Sequence, residues 1–519
     1  MVNKLKIQDV APSVNRVRSV GAQFLTSMSP NLLLMGIGMA ISFATIAVPD
    51  LLHAPEGLSM DDTQASWFGS LSYLTQPFGA ILSGPIVDYF GRKKASFLVN
   101  IPHILAWVLG YFAWNLPALF IANGLLGLGT GLMEAPIAAY VGEITEPAIR
   151  GTLCTVTQLF LAIGILLMYF LGTVVTWRNA ALIALAVPLT GMSLALFVPE
   201  TPVWLLSQGR DKDALKALCF LRGWTTPDNV KEEYDRLVDY SKNLHRCAIC
   251  CQDEKDQDPK DCEHHKLNMV KRFCLKFKFV MLVKATLRPL SLGLLYFMFY
   301  VMSGLTPIRP NMVNICGAFG MDENGKHIVL MVGVITFAAA LLVIGLIKIM
   351  GKRKLGIPAM LGTAISCTAL SIYAKMYLSD SVFSFDTATF PEEKSVWPLV
   401  FLYALTLFTG CNVSWVLLGE IFPFRSRASA QGIAAAWNYM VTFFAAKTYI
   451  DLEIQLKLWG TFAVYAGFAY AGTIYLYFFM PETEGIPLQD IEEYYKGPLR
   501  TFANDPFINL FRKLFRIKS

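Results

Sequence analysis

A carboxylate in the middle of an apolar run is the first residue able to do chemistry. Glu134 lies within the run 117 to 141, nine residues before Glu143. At about 1.5 Å per helical residue it sits roughly 13 Å from the end of that run, near the centre of a hydrocarbon layer about 30 Å thick. A charge there is costly unless it faces a polar interior, where it can exchange a proton or bond a ligand hydroxyl. The alternative is a buried, neutral or paired structural acid. Arg309 lies about 20 residues into another apolar run, 290 to 316, between Pro307 and Pro310. The outer part of that run therefore cannot be regular helix, and broken helices at membrane depth line cavities. Arg309 can serve as an outer-interface anchor or an outer gate. Its depth differs from that of Glu134 by more than a side-chain length, so no pair between them is expected.

Charged clusters recur at the ends of the runs. Asp88-Tyr89-Phe90-Gly91-Arg92-Lys93-Lys94 is matched by Lys348-Ile349-Met350-Gly351-Lys352-Arg353-Lys354. Gly142-Glu143-Ile144 with Arg150 is matched by Gly419-Glu420-Ile421 with Arg427, and Pro199-Glu200-Thr201 by Pro481-Glu482-Thr483. The offsets are 260, 277 and 282 residues, in the same order. Gly91 permits a tight turn, Asp88 can accept from backbone amides or Arg92, and Glu143 and Glu420 can reach Arg150 and Arg427. Such pairs can hold two halves together on one side while a cavity opens on the other. Plain interfacial charges that fix topology are the alternative. Lys348 replaces an acid in the second copy, which predicts a weaker lock there.

The elements that must position these residues follow from composition. Of 519 residues 55% are hydrophobic and 16% charged, against roughly 25% charged in soluble domains. Runs of spanning length fall at 32 to 49, 66 to 87, 95 to 114, 117 to 141, 152 to 175 and 179 to 198. Six more fall at 290 to 316, 327 to 350, 355 to 378, 396 to 418, 430 to 450 and 458 to 480. The expected fold is an all-α polytopic membrane protein, twelve transmembrane helices in two six-helix repeats, with cytoplasmic helices in the central loop. The segments are a tail, 1–30, a first bundle, 31–198, a central loop, 199–288, a second bundle, 289–485, and a tail, 486–519. The first 30 residues are polar and basic and do not read as a signal peptide.

Loops after spans 2, 4, 8 and 10 carry Arg92, Lys93, Lys94, Arg150, Lys352, Arg353, Lys354, Arg425 and Arg427, whereas the opposite loops are acidic. Positive charge marks the cytosolic side, so both termini and the central loop are expected there, in the plasma membrane. The same asymmetry explains the net charge of +6 without a nucleic-acid partner.

The Asp-x-x-Gly-Arg-Lys loop, the two Glu/Arg pairs and the two Pro-Glu-Thr endings resemble the sugar porter branch of the major facilitator superfamily, over about residues 30 to 495. Lys447-Thr448-Tyr449-Ile450-Asp451-Leu452 is similar to insect facilitated trehalose transporters. The resemblance implies that Gln158, Trp415 and Asn438 touch a sugar; an amide offers donor and acceptor to hydroxyls, and an indole packs on a pyranose face. Interhelical bonding and packing are the alternatives. In span 7 the family's glutamines and Ile-Asn correspond to Tyr300, Val301, Leu305 and Thr306 around Ser303-Gly304. Several sugar hydrogen bonds are therefore missing, and a larger, less polar or different solute becomes plausible. Asn123 and Val203 replace two further arginines of the pattern.

The central loop holds Cys247, Cys250, Cys251, Cys262, His264 and His265 at a spacing that fits no standard zinc finger. Free or palmitoylated cysteines are the expectation, with neither metal nor cofactor. Basic and apolar residues alternate over 266 to 288 and in the C-terminal tail, which suits the anionic inner leaflet. Neither His-Glu-x-x-His nor Gly-x-Ser-x-Gly occurs, which weighs against an enzyme. The expected function is alternating-access solute transport, most directly facilitative transport of a trehalose- or hexose-like carbohydrate by a monomer. The alternatives are a non-transporting solute sensor, or a proton-coupled transporter of another small polar solute using Glu134. The resemblance also implies a proton site in span 1 of bacterial relatives, and because no acid precedes Asp50 there, facilitated diffusion is favoured.

Overall fold

The computed structural model describes residues 15–244, 284–321, 325–386, 389–391, 395–422, 427–484 and 494–495. The cysteine-rich loop 247–265 and, apart from 494–495, the C-terminal tail lie outside them. Twelve spans are present. The first six are Arg16–Leu51, Asp62–Phe90, Arg92–Leu98 with Asn100–Phe112, Leu116–Ile144, Pro147–Val174, and Trp177–Ala184 with Ala186–Phe197. Three short helices follow, Pro202–Ser207, Asp211–Leu221 and Pro227–Leu244. Span 7 is Lys284–Val301 with Leu305–Ile308 and Met312–Ala318; spans 8 to 11 are Gly325–Met350, Lys352–Tyr377, Trp397–Gly410 with Ser414–Ile421, and Arg427–Lys447. Span 12 occupies Tyr449–Phe479, broken at Lys457, whose φ is 62°. Below, the inner end is the one that carries Gly91 and Gly351, and the outer end carries Asp50 and Lys447.

Among the described residues nine helices are long and apolar enough to cross a bilayer, and the bent pair of span 7 makes a tenth. Spans 2 and 11 carry the polar load instead: Ser66, Ser70, Ser72, Thr75 and Gln76 on one, Gln431, Asn438, Tyr439 and Thr442 on the other. These two spans pack against each other between the halves, so their polar faces avoid lipid. Large apolar side chains such as Ile81, Ile121, Phe170, Ile365 and Ile474 are exposed on the outside, where acyl chains cover them.

The packing repeats with the sequence. Span 2 packs on 4 and span 8 on 10, span 1 on 5 and span 7 on 11, span 3 on 6 and span 9 on 12. Between the halves span 2 meets 11 and span 5 meets 8, each pair being the pseudo-twofold image of the other. Close approach within the first bundle depends on glycine. A Cβ at Gly127 or Gly131 would strike the carbonyls of Ser72 and Gln76, and one at Gly38 the carbonyl of Leu161.

Three differences from the expected elements have local causes. Span 1 begins at Arg16, well inside the expected tail, with Asn15 as its N-cap. The added turns are anchored rather than apolar: Ser19 Oγ and Gln23 Nε2 donate to Glu146 at 2.6 and 2.8 Å. Arg222 from the central loop reaches the same carboxylate at 3.3 Å and Glu233 at 2.6 Å. Span 7 breaks at Gly304, φ 115°, with a bend of 50°, ahead of both prolines. Glycine tolerates that left-handed conformation, and Pro310 then falls at the first turn of the next segment, where a missing N–H costs nothing. Span 12 starts early because Tyr449–Leu456 forms a short outer helix before the Lys457 break.

Candidate functional site

At the inner end of the first bundle, Gly91 turns the chain between spans 2 and 3 with φ 87°. Glu200 accepts the amides that open span 3, from Arg92 at 3.0 Å and Lys93 at 3.0 Å, and that of Thr201 at 3.0 Å. Arg92 donates through Nε and Nη2 to Glu143 Oε1 at 2.9 and 2.7 Å, and Thr201 Oγ1 donates to Glu143 Oε2 at 2.5 Å. Burial pushes the Glu200 carboxyl up from the usual glutamate range, and the three amides with Arg92 pull it back. This corrects the role expected of Asp88. Its carboxylate is exposed, and its backbone carbonyl accepts from Trp204 Nε1 at 3.3 Å, while the amides and Arg92 go to Glu200 and Glu143.

The second bundle repeats the arrangement around Gly351, φ 81°. Glu482 accepts the amides of Lys352 at 2.9 Å and Arg353 at 3.1 Å, with those of Thr483 and Glu484 at 3.1 Å. Lys352 Nζ bridges Glu420 and Glu484, each at 2.6 Å, and Thr483 Oγ1 donates to Glu420 at 3.1 Å. Each described pair joins residues of one bundle, so these clusters rigidify the halves individually. The side chains of Arg150 and Arg427, and Arg425 entirely, lie outside the described residues.

At mid-depth Tyr439 of span 11 donates to Glu134 of span 4, a hydrogen bond between the halves. The Trp415 ring lies 6.4 Å from that of Tyr439 and 4.8 Å from that of Phe297, which extends the contact to spans 10 and 7. Asn438 adjoins Tyr439 in span 11; it is 7% exposed and its Oδ1 has no hydrogen-bond partner. Gln158, Trp415, Tyr300, Thr306 and Glu134 each keep partial exposure. Glu134, Tyr439 and Trp415 are thus brought together; no described contact joins Gln158 or Thr306 to them. Tyr300 belongs to a different group nearer the outer end. With Tyr73 of span 2 and Tyr169 of span 5, it stands close enough to Arg309 for the charge to be felt.

The outer end is where the halves hold each other. Thr45 Oγ1 donates to the Arg309 carbonyl at 2.9 Å, and Lys326 pairs with Asp50 at 2.6 Å. Lys447 Nζ lies 3.1 Å from Ser66 Oγ and 4.9 Å from the Trp67 ring centroid, and Tyr73 packs with Phe443 and Ala446. Span 8 approaches span 5 where Gly333 faces Tyr169 and Leu166.

Sequence reasoning left several of these residues without a role. Glu200 and Glu482 were visible in the Pro-Glu-Thr repeat, and the repeat itself is the signal that finds them. Tyr439 and Trp67 carry no motif, and the Lys447-Thr448-Tyr449 stretch marks a resemblance without giving Lys447 a partner; only helix azimuth, which a single sequence does not fix, reveals these contacts.

The model of the Sugar (and other) transporter family matches residues 37–495. The chain is 28% identical over 507 residues to the facilitated trehalose transporter Tret1 of Aedes aegypti, covering 96% of this chain and 58% of that one. It is 27% identical to the Tret1 of Polypedilum vanderplanki, covering 96% and 93%. The chain thus spans less than two thirds of the mosquito relative's length. Among solved structures, the proton:xylose symporter XylE bound to 6-bromo-6-deoxy-D-glucose superimposes with a TM-score of 0.68 at 18% identity, covering 92% of this chain and 100% of that one. The inward open XylE from E. coli gives 0.66 at 18% identity, covering 91% and 99%.

Proposed function

Because this chain belongs to the Sugar (and other) transporter family, with the twelve-helix major facilitator fold, we propose that it carries a polar solute, a trehalose- or hexose-like carbohydrate, across the membrane by alternating access. One observation carries the reading. The bonds described between the bundles lie at mid-depth and the outer end, while the inner-end clusters close within each bundle. Two rigid halves joined at one end are what a rocking transporter needs in the state that opens at the other. Inward solute access then requires no broken ion pair among those described, whereas outward access requires loss of the Asp50–Lys326 and Lys447–Ser66 contacts. Glu134, Gln158, Trp415, Asn438, Tyr300 and Thr306 are the proposed solute contacts, and the inner-end clusters keep each bundle rigid as it rocks. The positive loops support cytosolic termini; the plasma membrane, a monomeric state and the basic segments against anionic lipid belong to the same proposal.

Uptake of labelled sugars and polyols into oocytes tests the reading. Saturable flux supports it; binding without flux supports a sensor instead. A second reading, proton coupling, is favoured by the Tyr439–Glu134 bond, since protonation of Glu134 would change a contact between the halves. It expects uptake that rises with an inward proton gradient and loses that dependence in Glu134→Gln; pH-independent wild-type uptake disposes of it.

A further inference from the structure

Arg309 is a cation inside the bundle that, among the described residues, no carboxylate neutralises. The acids around the interface are committed elsewhere: Asp50 to Lys326, Glu453 to Ser384, and Glu134 to Tyr439. The arginine is not an anchor reaching for the outer boundary. Its backbone is tied to span 1 through Thr45, and Pro310 packs on Gly69 of span 2, which hold the segment against the first bundle. Tyr73, Tyr169 and Tyr300 lie within reach of its charge, all neutral donors or acceptors.

Three buried atoms near this segment lack hydrogen-bond partners. Among the described residues none bonds Tyr73 Oη, Tyr169 Oη or Asn311 Oδ1, on residues 4%, 1% and 3% exposed. Buried polar atoms are ordinarily satisfied, and Arg309, which keeps partial exposure, is a cation that a solute entering between the halves can reach. A ligand bearing one carboxylate and several hydroxyls would satisfy all of them. The guanidinium takes the carboxylate as a bidentate fork, the phenols donate or accept, and the Asn311 carbonyl accepts from a hydroxyl.

We propose that Arg309, presented by the broken span 7, binds the carboxylate of a hydroxylated organic acid of sugar size, so that the solute carried is anionic. This deepens the transport reading and rests on it for the word carried, while the binding site stands apart from it. The solute is held just beneath the outer seal, with contributions from spans 2, 5 and 7 and therefore from both halves.

The test uses the full chain in lipid nanodiscs and three probes: glucuronate, its neutral amide glucuronamide, and glucose. Tryptophan fluorescence should report glucuronate binding roughly tenfold or more tighter than glucuronamide, as a charge-assisted bidentate bond implies. Arg309→Gln should abolish that preference by weakening glucuronate binding more than glucuronamide binding, and Arg309→Lys should retain part of it. If Arg309→Gln does not fold, the acid-to-amide contrast in the unaltered protein decides alone. Glucuronate binding no better than its amide, no binding of the acid, or a preference that survives in Arg309→Gln would each overturn the site. Flux into proteoliposomes separates the two claims. Acid binding without flux keeps the site and removes transport; saturable glucose flux without acid preference keeps transport and removes the site.

Discussion

The two inner-end clusters share a scaffold and differ in the cation that closes them. Around Gly91 a single arginine forks onto one acid, Glu143, with side chains 15% and 20% exposed. Around Gly351 a lysine only 2% exposed is held between two acids, Glu420 and Glu484. Arginine puts two donors on one oxygen of Glu143, whereas a lysine is a point charge that can bridge two acids. The described amides and cations are held by residues other than Asp88 and Lys348, so whether the second copy is the weaker lock that Lys348 suggests turns on Lys352 and its two acids. Glu200 and Glu482 accept the amides in both halves, Glu143 and Glu420 take the cation, and all four recur between the copies of this chain. What diverged is the side chain at 92 and 352, and Glu484 compensates for the loss of the fork.

The largest test of this comparison removes the compensation. Glu420→Gln alone leaves Lys352 with Glu484 and should cost about 1 kcal/mol of stability. Glu420→Gln with Glu484→Gln strands a buried cation and should cost about 3–5 kcal/mol, more than twice the single change. Thermal unfolding of the purified protein measures both, and an additive pair of small losses would show that the bridge is not shared. Glu143→Gln, with no second acid for Arg92 in the described cluster, should fall between them at about 2 kcal/mol and reduce uptake while surface expression persists.

Next come the two glycines, where the halves should behave alike. Each has a positive φ, and a Cβ would lie 2.5 Å from a carboxylate oxygen of Glu200 or Glu482, closer than van der Waals contact. Gly91→Ala and Gly351→Ala should each cost about 2–4 kcal/mol, combining left-handed strain with overpacking. A tolerated Gly351→Ala beside a damaging Gly91→Ala would break the equivalence of the two turns.

Most of the architecture was readable, for reasons that also explain what was not. The twelve spans and the duplication follow from hydropathy and from three spaced motifs, both of which are one-dimensional signals. Residues 16 to 30 hid their helix because Ser19 and Gln23 are anchored by a hydrogen-bonded acid, not by apolar burial. The prolines of span 7 signalled a break, yet the turn falls at Gly304, where φ and not a missing N–H is the constraint. The site was readable only in part. Glu134 announced itself by its cost, but its partner Tyr439 is one of 20 tyrosines in the chain, and nothing in its neighbourhood marks it. The tyrosines around Arg309 come from three spans whose rotation about their axes is set by packing.

A smaller effect comes from protonation in the first cluster. Burial raises the Glu200 carboxyl above its unfolded value, so the native state holds the proton more readily than the unfolded state does. That contribution is present below the ordinary glutamate range, about 4–5, and is lost as pH rises through the higher native value. Glu200→Gln removes the titration but keeps an oxygen to accept the amides. The advantage of wild type over Glu200→Gln should therefore be greatest at acid pH and shrink on the way to neutrality. Unfolding midpoints measured across that range check the sign; a gap that widens with rising pH would mean the amides and Arg92 outweigh burial.

Asp88 should give the smallest effect of all. It begins the most recognisable motif in the chain, yet its carboxylate is exposed, Arg92 is committed to Glu143, and the amides of residues 92 and 93 are committed to Glu200. Asp88→Asn should leave the unfolding midpoint unchanged and lower uptake less than Glu143→Gln does, because no contact that rigidifies the bundle is lost. An unchanged midpoint with uptake lost as fully as in Glu143→Gln would show that Asp88 acts across the halves when the inner end closes. The contrast between a residue that holds one bundle together and one that latches two would then be drawn within a single loop, four residues apart from Asp88 to Arg92.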